Sequence, residues 1–386
     1  MSVVSLYRST GRHATWLELF FDLVFVAVIG VVTHDLAHTH NGHIGAEQLL
    51  RFPLVFIPVW WIWMTHTLYS NRFDKDSREH RLFSLCLMAL LVVLSLFVES
   101  SLEQGFALFA LLYGAIRLML AYLYWTIHRS KEQYVHFAKD VGTAIAVGAL
   151  VSMSAALISG PAKFVVFYLG IIIDAGLQIL LRHKLNSKPV DKVHLVERIG
   201  LLVIIILGES LIAMVGSLDH EQWDLYSTAS SITGFLLIGA IWWIYFDSFP
   251  TLERAKRLTS GNILIFTHLL LCMGLLILAN MIRHAILGDL DRPTFALLAI
   301  TGLVFFYLGK QIPYWYAFPI WRRAIVSNTF ICIGITVGSS FLSRIEYSLI
   351  GMTLGMLVYV YLTFKRILAV DVDNYLEAPH AAAAAS

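Results

Sequence analysis

Glu18 and Asp22 stand four residues apart inside TWLELFFDLVFVAVIG, Thr15 to Gly30, a stretch that is otherwise almost wholly apolar. On a helix, that spacing puts both carboxylates on one face, with Asp22 about one turn deeper than Glu18. Two neighbouring carboxylates do not both hold their charge in an apolar medium unless a cation stands between them. Arg117 is the one basic residue well inside an apolar run, so it is the expected counter-charge. The chemistry such a trio offers is a proton or cation relay at the mouth of a membrane passage. The alternative is an ion pair that only fixes helix register.

Further ionisable residues interrupt other apolar runs. Glu209 lies in IIILGES, between Gly208 and Ser210, where a serine hydroxyl can donate to the carboxylate. Asp174 lies in GIIIDAG. A charge at this depth costs roughly 2.5–3.5 kcal/mol on insertion scales and faces a bundle interior or a wet cavity. Glu209 and Asp174 are therefore candidates for charge handling at mid-depth. Asp247 in WWIYFDSFP is nearer a segment end and fits a helix-end role. His66, which follows WWIWMT, and His268 are either satisfied hydrogen-bonding residues or titrating gates.

THDLAHTHNGH gathers His34, Asp35, His38, His40 and His43. His34 and His38 could chelate a metal if the helix continues through them. There is no HExxH and no cysteine pair, so no metal is expected, with His34 and His38 as the fallback pair. The sequence also has no phosphate loop and no nucleophile elbow. It predicts no enzyme, no cofactor and no nucleic-acid partner.

These residues need a membrane to position them. The chain has 386 residues, 58% hydrophobic and 14% charged, with mean hydropathy +0.73. Soluble domains carry roughly 25% charged residues. Twelve apolar segments are expected near 16–36, 50–69, 82–99, 106–127, 140–159, 163–181, 199–217, 231–248, 262–284, 294–312, 324–342 and 346–366. If the N-terminus is cytoplasmic and the loops alternate, 22 of the 28 Lys and Arg fall inside and five outside. Arg117 remains within a span. This bias places both termini in the cytoplasm. Cys86, Cys272 and Cys332 all lie in apolar runs and read as buried thiols. Consecutive tryptophans at 60–61 and 242–243 cannot share a helix face, so some must line helix contacts. The polar segment NRFDKD, 71–76, fits helix capping or contact with lipid headgroups.

The two halves resemble each other. WWIW (60–63) matches WWIY (242–245), FALFALLYG (106–114) matches FALLAITG (295–302), and Glu18 matches Glu197. The fold expected is an all-α integral membrane protein of about twelve spans in two parallel six-helix repeats, 1–185 and 186–370. The tail, 371–386, ends in HAAAAAS and reads as a disordered end or a vector-derived remnant.

WLELFFDLVFV (16–26), HLVERIGLLVIIILGES (194–210), NRFDKD and WWIYFD resemble the bacterial low-temperature-requirement A family, LtrA. The resemblance implies a polytopic inner-membrane protein linked to growth in the cold. LELFFDLVFVAVIG is similar to the first-helix motif of the endolysosomal potassium-channel family. Trp16 stands where that family has Arg, Phe21 where it has Ser, and Leu201 lies opposite Asp22 in the second copy. That resemblance implies six-helix units, pore-lining first helices and a homodimer. The function expected is transport of a cation, proton or small solute in contact with membrane lipids, through Glu18, Asp22, His66, Arg117, Asp174 and Glu209. The rival is a non-transporting scaffold or lipid-binding protein.

Overall fold

The computed structural model describes residues 12–39, 41–73, 77–98, 104–129, 135–181, 189–218, 225–255, 257–258 and 261–369. The polar tail and residues 74–76 of NRFDKD lie outside these. Among the described residues are twelve α-helices: α1 (Trp16–Thr33), α2 (Ala46–Phe73), α3 (Arg78–Ser95), α4 (Phe106–Arg129), α5 (Val135–Ser154), α6 (Ala162–Leu180), α7 (Lys192–Leu218), α8 (Leu225–Ser248), α9 (Asn262–Leu287), α10 (Arg292–Ala317), α11 (Arg322–Ser340) and α12 (Ile345–Thr363). Eleven are long and apolar enough to cross a bilayer. The other is α3, whose first turn carries Arg78, Glu79, His80 and Arg81. Ser77 caps it by accepting from the His80 amide, so the helix starts ahead of its apolar run.

The apolar surface points outward as well as inward. In the α6 window only 22% of residues are buried, at mean hydropathy 1.8. A helix so apolar and so exposed faces hydrocarbon.

α1 begins with a capping box. Thr15 accepts from the Glu18 amide, and the Glu18 carboxylate accepts from the Thr15 amide. From there α1 packs along α3 and α7, and α7 packs along α9. α4, α5 and α6 flank the first half, while α10, α11 and α12 flank the second. α1 and α7 run parallel, because Glu18 meets His194 and Gly30 meets Glu209.

Glycine sets the closest crossings. A Cβ on Gly170 of α6 would stand 2.5 Å from the Gly148 carbonyl of α5 and would overlap Ser152 Oγ. On Gly274 of α9 it would stand 2.7 Å from the Gly302 carbonyl of α10. Small residues let helix backbones meet where no hydrophobic drive exists between helix and lipid.

α2 carries Pro53 and Pro58. Pro58 has no N–H, which frees the Leu54 carbonyl. The Tyr168 hydroxyl of α6 donates to that carbonyl. Trp60 and Trp63 are fully buried and Trp61 nearly so, whereas Trp242 and Trp243 are half-exposed. The tryptophans of the two halves thus differ in role despite their matching sequence. Cys272 and Cys332 are buried, but Cys86 is exposed on α3, contrary to the sequence reading. All three are free.

Candidate functional site

The Glu18–Asp22 face of α1 meets a matching face of α7. His194 and Arg198 are also four apart, and each lies 176 positions beyond its carboxylate partner. Two parallel helices in register thus oppose two acidic with two basic groups. His194 Nε2 lies 3.1 Å from Glu18 Oε2. Arg198 Nη1 donates to Glu18 Oε1 at 3.4 Å. Its Nη2 donates to Asp22 Oδ1 at 3.1 Å, and its Nε to Asp22 Oδ2 at 3.3 Å. Arg12 adds a bond to Glu18 Oε1 at 3.3 Å. Trp63 Nε1 donates to Asp22 Oδ1 at 2.7 Å. Glu18, Asp22 and Arg198 are all 0% exposed.

The counter-charge for α1 is therefore Arg198, not Arg117. Arg198 follows Glu197 near the start of α7 and reads in the sequence as part of a basic loop. In three dimensions that turn of α7 is sealed between α1 and α2. Its repeated i, i+4 spacing against Glu18 and Asp22 was the available signal. Glu197 points away and accepts from the Ala14 amide at 3.3 Å, with the His13 ring beside it. Glu18 is thus level with His194 rather than with Glu197.

Arg117 of α4 instead pairs with Asp174 of α6 through Nη2. Asp174 Oδ2 also accepts from Trp61 Nε1 at 2.7 Å, and Oδ1 accepts from Gln178 Nε2 at 2.9 Å. Arg117 Nη1 donates to the Trp61 carbonyl at 3.0 Å and to Thr65 Oγ1. This is a second closed knot, separate from the first.

α2 belongs to both. Trp63 and His66, three apart, face Asp22 and Arg198. Trp61 and Thr65, four apart, face Asp174 and Arg117. The WWIW motif supplies one indole N–H to each of the two buried aspartates, a role the sequence reading missed.

His66 extends the first knot. Arg198 is only a donor, so its Nη2, 3.4 Å from His66 Nδ1, makes that nitrogen the acceptor. The ring proton is then on Nε2, which lies 3.4 Å from Ser84 Oγ. Ser84 Oγ in turn lies 3.5 Å from Nε2 of His80. His66 stacks on Phe21 at 3.9 Å between ring centroids. Asn71 of NRFDKD closes the start of α7, with Nδ2 donating to the Asp191 carbonyl and Oδ1 accepting from the Asp191 amide, both at 2.9 Å.

Glu209 is half-buried on the same α1–α7 seam and hydrogen-bonds to none of the described residues. Its Oε1 lies 3.2 Å from where a Gly30 Cβ would stand. Ser210 donates to the Ile206 carbonyl rather than to Glu209. Asp247 is exposed and accepts from Trp243 Nε1 at 2.7 Å. His268 is sealed, with Nε2 3.1 Å from the Tyr245 hydroxyl. His34 and His38 bring their Nε2 atoms to 3.1 Å of each other on an exposed surface. No group of three metal-ligating side chains occurs among the described residues.

The seam of α1 and α7 carries both long sequence motifs. An uncharacterized protein of Rhizobium meliloti (strain 1021) is 26% identical over 242 residues, covering 60% of this chain and 58% of the relative. The chain thus matches somewhat over half the length of that relative. The profile of the family described as bacterial low temperature requirement A protein matches residues 13–362, nearly the whole chain. The protein belongs to the LtrA family.

Proposed function

We propose that this chain is a transport protein of the bacterial inner membrane. It moves a cation, a proton or a small solute along the seam between α1 and α7, and the arrangement described here is closed. The observation that carries this reading is the line of hydrogen-bonding groups His80, Ser84, His66, Arg198 and Asp22. It leads from the first turn of α3 to a carboxylate buried in the seam. Arginine cannot give up its proton in a protein. Arg198 is therefore the latch: it separates His66 from Asp22 and must swing aside before charge can pass. Glu209, half-buried further along the seam and without a hydrogen bond to any described residue, is the acceptor on the other side.

The orientation follows from the basic residues. Arg72, Arg198 and Lys310 are buried in helices. Setting them aside leaves 19 basic residues inside and five outside, which keeps both termini in the cytoplasm. In this reading α3 is the twelfth span. The packing of α1 on α3 and of α7 on α9 supports two parallel six-helix repeats, 1–185 and 186–370.

A scaffold is the second reading. It draws on the zero exposure of Glu18, Asp22 and Arg198, whose charges are fully matched. Proteoliposome flux separates the two. Under a pH, potassium or sodium gradient, the wild-type protein should dissipate at least one gradient, and Asp22→Asn should slow that flux tenfold or more. A protein that dissipates none of the three moves neither protons nor these cations, which leaves the small solute and the scaffold. Unchanged flux in both Asp22→Asn and Glu209→Gln removes the seam from the mechanism.

A further inference from the structure

Lys310 of α10 is 3% exposed, yet no carboxylate of any described residue reaches it. Its contacts are aromatic. Nζ lies 4.9 Å from the centroid of Tyr314 and 5.5 Å from that of Tyr359. Tyr307 completes the wall, 4.9 Å from Tyr359 between ring centroids.

The polar atoms of this wall are short of acceptors. The hydroxyls of Tyr307, Tyr314 and Tyr359 and Nε2 of Gln311 are buried without hydrogen-bond partners among the described residues. Thr336, Ser248 and Thr363 lie beside the three phenols, but out of hydrogen-bonding geometry; Thr336 and Ser248 give their own protons to helix carbonyls, and the Thr363 hydroxyl has no partner among the described residues. Asn328, 0% exposed, accepts from Arg366 through Oδ1 and leaves Nδ2 unpartnered. Asn328 sits one turn before Cys332, whose thiol neighbours the Tyr307 and Tyr359 phenols.

A buried ammonium with no counter-ion is costly, and each buried donor left unmade costs about 1–3 kcal/mol more. Tyrosine faces ease the first cost only in part. When protonated, Lys310 can only donate, as can Gln311 Nε2 and Asn328 Nδ2, and the three phenols can donate as well, so an acceptor carrying negative charge meets all of them. A cation or an apolar molecule supplies none of this.

We propose that Lys310, with the phenols of Tyr307, Tyr314 and Tyr359, forms a binding site for a small monovalent anion of halide size. The site lies in the second half of the bundle, among α10, α11 and α12. It shares no residue with the α1–α7 seam, so it stands whether or not the seam conducts.

The test uses the full-length protein in detergent, with chloride exchanged for gluconate at constant ionic strength. Wild-type melting temperature should rise with the logarithm of chloride concentration above half-saturation, by about 2 °C at ten times the half-saturating concentration. Lys310→Met should lose the response, and Tyr359→Phe should weaken the half-saturating concentration several-fold. A wild-type protein indifferent to chloride overturns the site, as does a Lys310→Met protein that responds like wild type. If Lys310→Met does not fold, bromide-soaked crystals of the wild type decide the matter. An anomalous peak beside Lys310 Nζ supports the site, and no peak there overturns it.

Discussion

Arg198 holds two carboxylates that have no access to water, so its loss strands both. Arg198→Met is expected to cost about 3–5 kcal/mol. Adding Glu18→Gln and Asp22→Asn should restore most of that loss, because the stranded charges rather than the missing bonds set the cost. Melting curves of the single and triple variants check this. A triple variant less stable than Arg198→Met would mean that Arg198 matters for packing and not for charge. At this scale the sequence was half legible. Glu18, Asp22, Asp174 and Glu209 stood out because each breaks an apolar run. Arg198 did not, because it sits beside Glu197 at the edge of a basic stretch, and hydropathy cannot tell a loop cation from one enclosed by neighbouring helices. Lys310 was hidden in the same way, close to where α10 passes Pro313.

The helices themselves depend on a few substitution-sensitive contacts. Gly170→Leu places side-chain atoms where the Gly148 carbonyl and Ser152 already sit. Overpacking of this kind costs about 1–3 kcal/mol. It should also push Asp174 off Trp61, which would appear as a lower melting temperature together with a changed tryptophan emission. Tyr168→Phe tests the proline in α2. It removes the donor that satisfies Leu54, and its cost is expected at about 1–3 kcal/mol. In a Pro58→Ala background the new amide can serve that carbonyl, so the same change should cost less. A double-mutant cycle reads the difference, and strict additivity would deny the link. Segment ends were the poorly legible part. The expected second span, 50–69, is in fact Ala46–Phe73; it runs on past Tyr69 because Ser70, Asn71 and Arg72 are polar but lie inside protein. A scale calibrated on lipid contact reads such residues as loop.

For the molecule as a whole, the expected twelve apolar segments correspond to twelve helices among the described residues. Chain-wide hydrophobicity carries that information in bulk, and no single residue can spoil it. Which helices touch is a finer matter, set by pairs such as Gly148 with Gly170 and His194 with Glu18, which lie far apart or unremarked in the sequence. Gly30→Ala is the probe at this scale. Its methyl would press on the Glu209 carboxylate from across the seam. Reconstituted flux should fall several-fold with little change in melting temperature, since Glu209 has slack to move. A large loss of stability with normal flux would place Gly30 in the packing and Glu209 off the path.

The helix between the two knots has its own mechanical consequence. α2 presents one indole to Asp22 and, two residues earlier, another to Asp174 on its far side. Such a rod cannot roll or slide without loosening both grips together. A disturbance at the seam is thus carried across α2 into α4 and α6 by rigid displacement, and the whole first half should yield as a single lever.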